Sequence, residues 1–173
     1  MGFHHIPIGE DYPEIVNVIV EIPKGGNNKY EYDEKLDLIK LDRVLYSPVF
    51  YPVDYGFVPQ TREEDGDHMD IMVITNSPTF PGCLLRVTPI GVLRMSDDQG
   101  RDSKVLAVPL NTPYFYEVNS LDDLPRHTLK EIVHFFEQYK SLEEKKVVID
   151  RWGSREDAME MIRKSHAKFK EEG

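Results

Sequence analysis

The sequence predicts a mainly β protein whose last third is helical. In the first two thirds of the chain, short β-branched or alternating segments are separated by turns containing proline and glycine. In the last third, apolar residues recur at helical spacing instead. Many short strands of this kind are typical of a small barrel or sandwich, and we expect a β-barrel flanked by C-terminal helices.

The clearest predicted strand covers residues 15–22, which are rich in β-branched side chains and lie between Pro13 and Pro23. Residues 24–28 predict a turn, and residues 51–56 are interpreted as a turn-rich segment. Pro89 has no amide proton, so it predicts a bulge or an edge in the strand that contains it. The other predicted strands are residues 29–33, 36–43, 71–75, 84–95, 105–108 and 147–149.

Two helices are predicted near the C-terminus. An i, i+3, i+4, i+7 pattern indicates an amphipathic helix over about residues 125–140; its apolar members are Leu129, Ile132, Val133 and Phe136. Ser154 can cap a second helix, with Asp157 as its capping-box partner. The apolar side of this helix is formed by Ala158, Met161, Ile162 and Phe169.

Length and composition favour one domain over residues 1–173, since 40% hydrophobic content can fill one core at this length. Lysine and arginine number 21 against 31 acidic residues, a formal net charge of −10. This balance argues against a nucleic-acid backbone or an anionic membrane as a partner. No apolar run approaches the length of a membrane span. The single Cys83 excludes an intrachain disulfide, and we expect a cytoplasmic protein.

The most informative motif is the acidic run at residues 65–70, in which Asp65, Asp67 and Asp70 lie close together before a predicted strand. Unpaired carboxylates at this spacing repel one another, and a hard divalent cation removes that penalty. Oxygen ligands without cysteine or histidine partners suit Mg²⁺, Mn²⁺ or Ca²⁺. A solvated acidic turn is the alternative that the motif alone leaves open.

Other motifs narrow the choice of function. Residues 24–26 are a turn rather than a phosphate-binding loop, because GxxxxGK[ST] is absent. An EF-hand is excluded because the acidic run has no glutamate at its twelfth position. Lys29 and Glu31 share one face of their predicted strand. A second acidic cluster, formed by Asp97, Asp98 and Asp102, precedes Lys104.

Together, these motifs and their order closely resemble the family I soluble inorganic pyrophosphatases, over roughly residues 10–165. The family pattern D-G-D-x-x-D matches residues 65–70, and residues 22–25, 29–31, 51–56, 104–109 and 134–140 match in family order. The resemblance implies the short prokaryotic type, with a five-stranded OB-like closed β-barrel flanked by C-terminal helices. It also implies a homohexamer. Two residues depart from the usual pattern: His68 replaces a proline, and Asp98 replaces a glutamate.

By this resemblance, the expected activity is Mg²⁺-dependent hydrolysis of pyrophosphate to two phosphates. Asp67 is the expected general base, and Tyr51 supports the site. Three to four Mg²⁺ ions are implied, with Mn²⁺ or Zn²⁺ as possible substitutes. The expected metal ligands are Glu21, Glu31, Asp65, Asp70, Asp97 and Asp102, and the expected substrate-binding residues are Lys29, Arg43, Tyr55, Lys104, Tyr139 and Lys140.

Three other functions are weighed against this one. A nucleotide pyrophosphohydrolase would use the same metals, but no run of glutamates of the Nudix type is present. An OB-type nucleic-acid module conflicts with the negative charge. A calcium buffer would not need the lysines and tyrosines. His68 lies between two candidate site residues, and we expect alternation to turn it away from the side that Asp67 faces, in a structural role.

Overall fold

A computed structural model describes residues 2–173, which form nine strands and two α-helices. Helix α1 spans Arg126–Gln138 and helix α2 spans Arg155–Glu172. Three short 3₁₀ helices lie at Pro113–Phe115, Leu121–Asp123 and Ser141–Glu143. The strands are β1 Val16–Ile22, β2 Asn28–Asp33, β3 Leu38–Val44, β4 Asp54–Val58, β5 Met69–Val73, β6 Leu84–Asp97, β7 Gly100–Arg101, β8 Lys104–Pro109 and β9 Val148–Gly153.

Five of the strands form a closed ring. Strand β1 pairs antiparallel with both β4 and β6. Strand β5 pairs antiparallel with β4 and parallel with β8, and β8 returns antiparallel to β6. Strands β2 and β3 make a separate hairpin, while β7 and β9 extend the ring along β6. The predicted fold, mainly β with a five-stranded ring and C-terminal helices, is therefore confirmed.

The core lies on both faces of the ring strands, which explains why these strands are almost continuously apolar. Along β5, Ile71 and Val73 join one apolar cluster, whereas Met72 joins the other. The first cluster packs against Ala158 and Ile162 of α2. The second packs against α1, and fully burying each of its large side chains contributes about 1.5–3 kcal/mol. Each helix therefore covers one apolar cluster.

Two local features that the sequence predicts, a helix cap and a proline bulge, are present in the structure. The Ser154 side chain accepts a hydrogen bond from the Asp157 amide, and the Asp157 carboxylate accepts one from the Ser154 amide, as the capping box predicts. The register between β6 and β8 shifts at Pro89, where a bulge is predicted. Within residues 2–173, no helix is both long enough and apolar enough to cross a membrane.

The interpretation of residues 51–56 as turn-rich is wrong in its second half, where β4 begins at Asp54. Pro52 and Gly56 suggest a turn, but Gly56 serves a close approach between strands. A Cβ atom on Gly56 would lie 2.0 Å from the carbonyl oxygen of Ile19, so only glycine lets β1 and β4 pair there. This central strand carries Tyr55 into the candidate site.

Candidate active site

One cavity of about 700 Å³ collects nearly all of the predicted site residues. Its walls are the β2–β3 hairpin, the acidic loop before β5, the β6–β8 region and the end of α1. Of the predicted residues, Arg43 alone does not line the cavity. Those that do are Glu21, Lys29, Glu31, Tyr51, Tyr55, Asp65, Asp67, Asp70, Asp97, Asp102, Lys104, Tyr139 and Lys140.

The acidic loop of residues 65–68 is shaped by its own polar groups. Gly66 has a φ of +90°, which favours glycine at this position. The Asp67 amide donates to Oδ1 of Asp65 at 2.9 Å, and an Arg62 guanidinium nitrogen donates to the Gly66 carbonyl at 2.7 Å. As a result, Asp65 and Asp67 both lie at the exposed mouth of the cavity.

Lys104 is the buried cation of the site, with only 2% of its surface exposed. Its Nζ donates to the Tyr55 hydroxyl at 2.7 Å and to carboxylate oxygens of Asp70 and Asp102, each at 3.0 Å. Burial by itself lowers the pKa of Lys104, but the two neighbouring carboxylates raise it well above its ordinary value. Lys104 therefore stays positively charged between two acidic side chains.

Burial is the main cause of raised pKa values in three carboxyl groups that line the cavity, those of Glu21, Asp67 and Asp102. Burial raises the pKa of Glu21 to about 8, although the Tyr32 amide, 2.8 Å from Oε1, donates a hydrogen bond that lowers it. Partial burial raises the pKa of Asp67, and the charges of Asp65 and Asp70 raise it further. Asp67 is thus a better proton acceptor than an isolated aspartate.

Two lysines are held on acidic partners at the cavity wall. Lys140 Nζ lies 3.2 Å from Oδ2 of Asp97, and Lys29 pairs with Glu31. Burial opposes ionisation of Asp97, but hydrogen bonds from the Gln99 amide and Lys140 lower its pKa overall. Both lysines can therefore transfer to an anionic ligand when a cation takes their carboxylate partners.

The three tyrosines predicted for the site are buried and form one aromatic group. Tyr51 and Tyr55 make an edge contact at 5.4 Å, and Tyr139 packs against Phe135 and Phe136 of α1. Burial raises the pKa values of Tyr51 and Tyr55 well above the ordinary value. Their hydroxyl groups therefore stay protonated and can donate hydrogen bonds.

Arg43 lies outside the cavity, although it stands opposite Lys29 in the β2–β3 register. Its guanidinium contacts Asp42 at 2.6 Å and Glu143 at 2.9 Å. Contact with a ligand in the cavity would require Arg43 to leave these partners.

Sequence reasoning missed four cationic side chains that also line the cavity, namely Lys35, Lys40, Arg101 and Lys145. The last two are the least expected. Arg101 lies on the two-residue strand β7, and Lys145 lies in the loop that follows the 3₁₀ helix at Ser141–Glu143. Neither position has periodicity or a motif that could have identified it. Lysine and arginine are common at exposed positions, so the residue type alone gives no local signal.

The donor set of the cavity fits hard divalent cations. Its acidic side chains offer only oxygen, and Cys83 does not line it. The Lys104 ammonium already bridges Asp70 and Asp102 as a cation. Within residues 2–173, no three acidic, histidine or cysteine side chains converge on a single point. Lysines and backbone amides hold several of the carboxylates. A cation would compete for these same oxygens.

Comparison with known proteins agrees with the geometry. The family model described as inorganic pyrophosphatase matches residues 18–170. The inorganic pyrophosphatase of Methanosarcina acetivorans is 48% identical over 158 residues, which cover 91% of this chain and 94% of that protein. That of Sulfolobus acidocaldarius is 50% identical over 157 residues, covering 89% and 91%. The crystal structure of inorganic pyrophosphatase from Thermus thermophilus matches with a TM-score of 0.95 and 40% identity, over 98% of this chain and 99% of that one.

Proposed function

This chain belongs to the inorganic pyrophosphatase family, and we infer that its cavity hydrolyses pyrophosphate to two phosphate ions. The observation that carries this inference is one cavity in which acidic side chains alternate with Lys29, Lys104 and Lys140. A site with both kinds of charge suits a polyanion that is bound together with cations.

Divalent metal dependence is a property of this family, and we propose Mg²⁺ as the ion, at three to four per site, with Mn²⁺ or Zn²⁺ as substitutes. When bound, such ions lower the pKa of water and neutralise charge on phosphate oxygens. The many carboxylate oxygens of the cavity support a hard cation. The residues that would hold the ions are Glu21, Glu31, Asp65, Asp70, Asp97 and Asp102.

We propose the remaining roles from the family resemblance. Asp67 would accept a proton from the attacking water, and its raised pKa supports this role. Tyr51 would hold the neighbouring tyrosine in place through their edge contact. The groups proposed to contact phosphate oxygens are Lys29, Arg43, Tyr55, Lys104, Tyr139 and Lys140, the guanidinium by its planar fork and the lysines as point charges.

Phosphate release from pyrophosphate, measured beside ATP under the same Mg²⁺ concentration, tests this assignment. We expect turnover of pyrophosphate and at least about a hundredfold lower kcat/KM for ATP, because the charged groups that line the cavity suit a small polyanion and give a nucleoside no matched polar partner that the family resemblance predicts. A preference for ATP would instead support a nucleotide pyrophosphohydrolase.

We further propose a cytoplasmic, single-domain chain that assembles as a homohexamer. The support for assembly is a set of large apolar side chains left exposed, among them Leu41, Tyr46, Phe50 and Phe80. Light scattering coupled to size exclusion should give about six chain masses. A single chain mass at micromolar concentration would overturn the hexamer without affecting the proposed reaction.

A further inference from the structure

The side chain of His68 joins the acidic loop to the opposite wall of the cavity. The carbonyl of Thr61 lies 2.9 Å from Nδ1, and Oε1 of Glu34, at the tip of the β2–β3 hairpin, lies 2.8 Å from Nε2. Only 13% of the His68 side chain is exposed. Each ring nitrogen therefore lies within hydrogen-bond distance of an oxygen acceptor, one in the segment that leads into the loop and one across the cleft, and a neutral ring donates to one of the two at a time.

An aromatic stack reinforces this link. The His68 ring stacks on Phe57 of β4 at 4.9 Å and on Tyr32 of β2 at 5.9 Å. Tyr32 and Phe57 also stack on each other at 4.9 Å, with an interplanar angle of 9°. The three rings connect the hairpin, the ring of strands and the acidic loop. Side chains locked in this way resist independent movement of the hairpin.

Arg62 adds a second bridge to the same hairpin carboxylate. Its two terminal nitrogens lie 3.2 Å from the two oxygens of Glu34, while one of them donates to the Gly66 carbonyl at 2.7 Å. Its Nε donates to Glu172 at the end of α2 at 2.8 Å. Planar forks of this kind fix orientation as well as distance. Glu34 is therefore contacted by both His68 and Arg62 from the opposite wall of the cleft.

We propose that His68, Arg62 and Glu34 form a clamp that sets the separation between the two walls of the cleft before any cation binds. One wall carries Asp65 and Asp67, and the other carries Lys29 and Glu31. None of the three clamp residues is assigned to the reaction, so they are positioning residues. The effect of the clamp on turnover depends on the proposed function, whereas its effect on the hairpin does not.

The principal test compares His68→Phe with His166→Phe. His68→Phe keeps a ring in the stack but removes both polar contacts. His166 is a matched control, since its Nδ1 lies 2.7 Å from the Gln60 carbonyl and its ring meets Tyr12 at 4.6 Å, away from the cleft. We expect His68→Phe to accelerate amide exchange in β2 and to weaken Mg²⁺ binding, measured by calorimetry, by roughly tenfold each. His166→Phe should change both by less than about twofold.

A second pair of variants tests the clamp with substitutions at half-exposed side chains, which are expected to leave the fold intact. Glu34→Gln and Glu172→Gln each remove the charge of one Arg62 partner, but only the first lies on the hairpin, and both side chains are nearly half exposed. Glu34→Gln should raise the KM for pyrophosphate about three- to tenfold while kcat at saturating Mg²⁺ stays within about threefold. Glu172→Gln should leave KM within about twofold.

Two results would overturn the clamp: equal effects of His68→Phe and His166→Phe on exchange in β2, or equal effects of the two glutamine variants. If the unaltered protein does not hydrolyse pyrophosphate, the proposed function fails. Exchange in the protein without added metal would still decide whether the clamp holds the hairpin.

Discussion

Replacing Asp67 by asparagine is expected to lower kcat by about 10²–10⁴ with little change in metal affinity. Asparagine keeps the shape of the side chain and one neutral oxygen, but it cannot accept a proton. Partial burial and the charges of Asp65 and Asp70 raise the pKa of Asp67, which makes it a better proton acceptor than an isolated aspartate. Steady-state rates and calorimetric Mg²⁺ titrations of the same variant provide the measurement.

Asp70→Asn is the matched control, because it makes the same chemical change three residues away. Asp70 contacts the Lys104 ammonium at 3.0 Å and is proposed as a metal ligand. Loss of its charge should therefore raise the Mg²⁺ concentration needed for half-maximal activity by about tenfold or more. If extra Mg²⁺ fully restored Asp67→Asn, Asp67 would be a ligand rather than the base. A loss of less than about tenfold in kcat would also contradict the general-base role.

Several elements of the fold could be predicted from the sequence because their local sequence signals agree with their tertiary packing. The β-branched run of β1, the capping box at Ser154 and the proline bulge in β6 are each determined by near neighbours. Strand β4 breaks this agreement, since Gly56 is placed by an approach to Ile19 from a distant part of the chain. The sequence pattern of one strand cannot predict a contact with another strand.

The candidate site shows the same division. The resemblance that rests on the acidic motif and the order of the polar segments predicts residues that line the cavity, with Arg43 as the exception, but it does not predict every lining residue. Arg43 is drawn outward by Asp42 and by Glu143, a hundred residues further along the chain. The engagement of His68 with Glu34 is likewise a contact across the fold. Alternation predicted that His68 turns away from the side that Asp67 faces, but both side chains line the same cavity, and the structural role of His68 stays a prediction.

Removal of divalent metal is expected to abolish activity altogether. The cavity holds more acidic than basic side chains around Asp67, so a multiply charged anion is repelled unless cations screen that field. Lys29, Lys104 and Lys140 cannot supply the screening alone, because each is already paired with a carboxylate. Cations that occupy the carboxylates would release these lysines to the substrate.

Phosphate release from pyrophosphate as a function of free Mg²⁺, buffered by a chelator, is the measurement that tests this arrangement most directly. We predict that the rate of phosphate release equals the uncatalysed rate in excess chelator and rises steeply with free Mg²⁺. Adding the metal back to the chelated protein should restore the activity. An undiminished rate in excess chelator would contradict the assignment of the acidic cleft as a metal-dependent catalytic site.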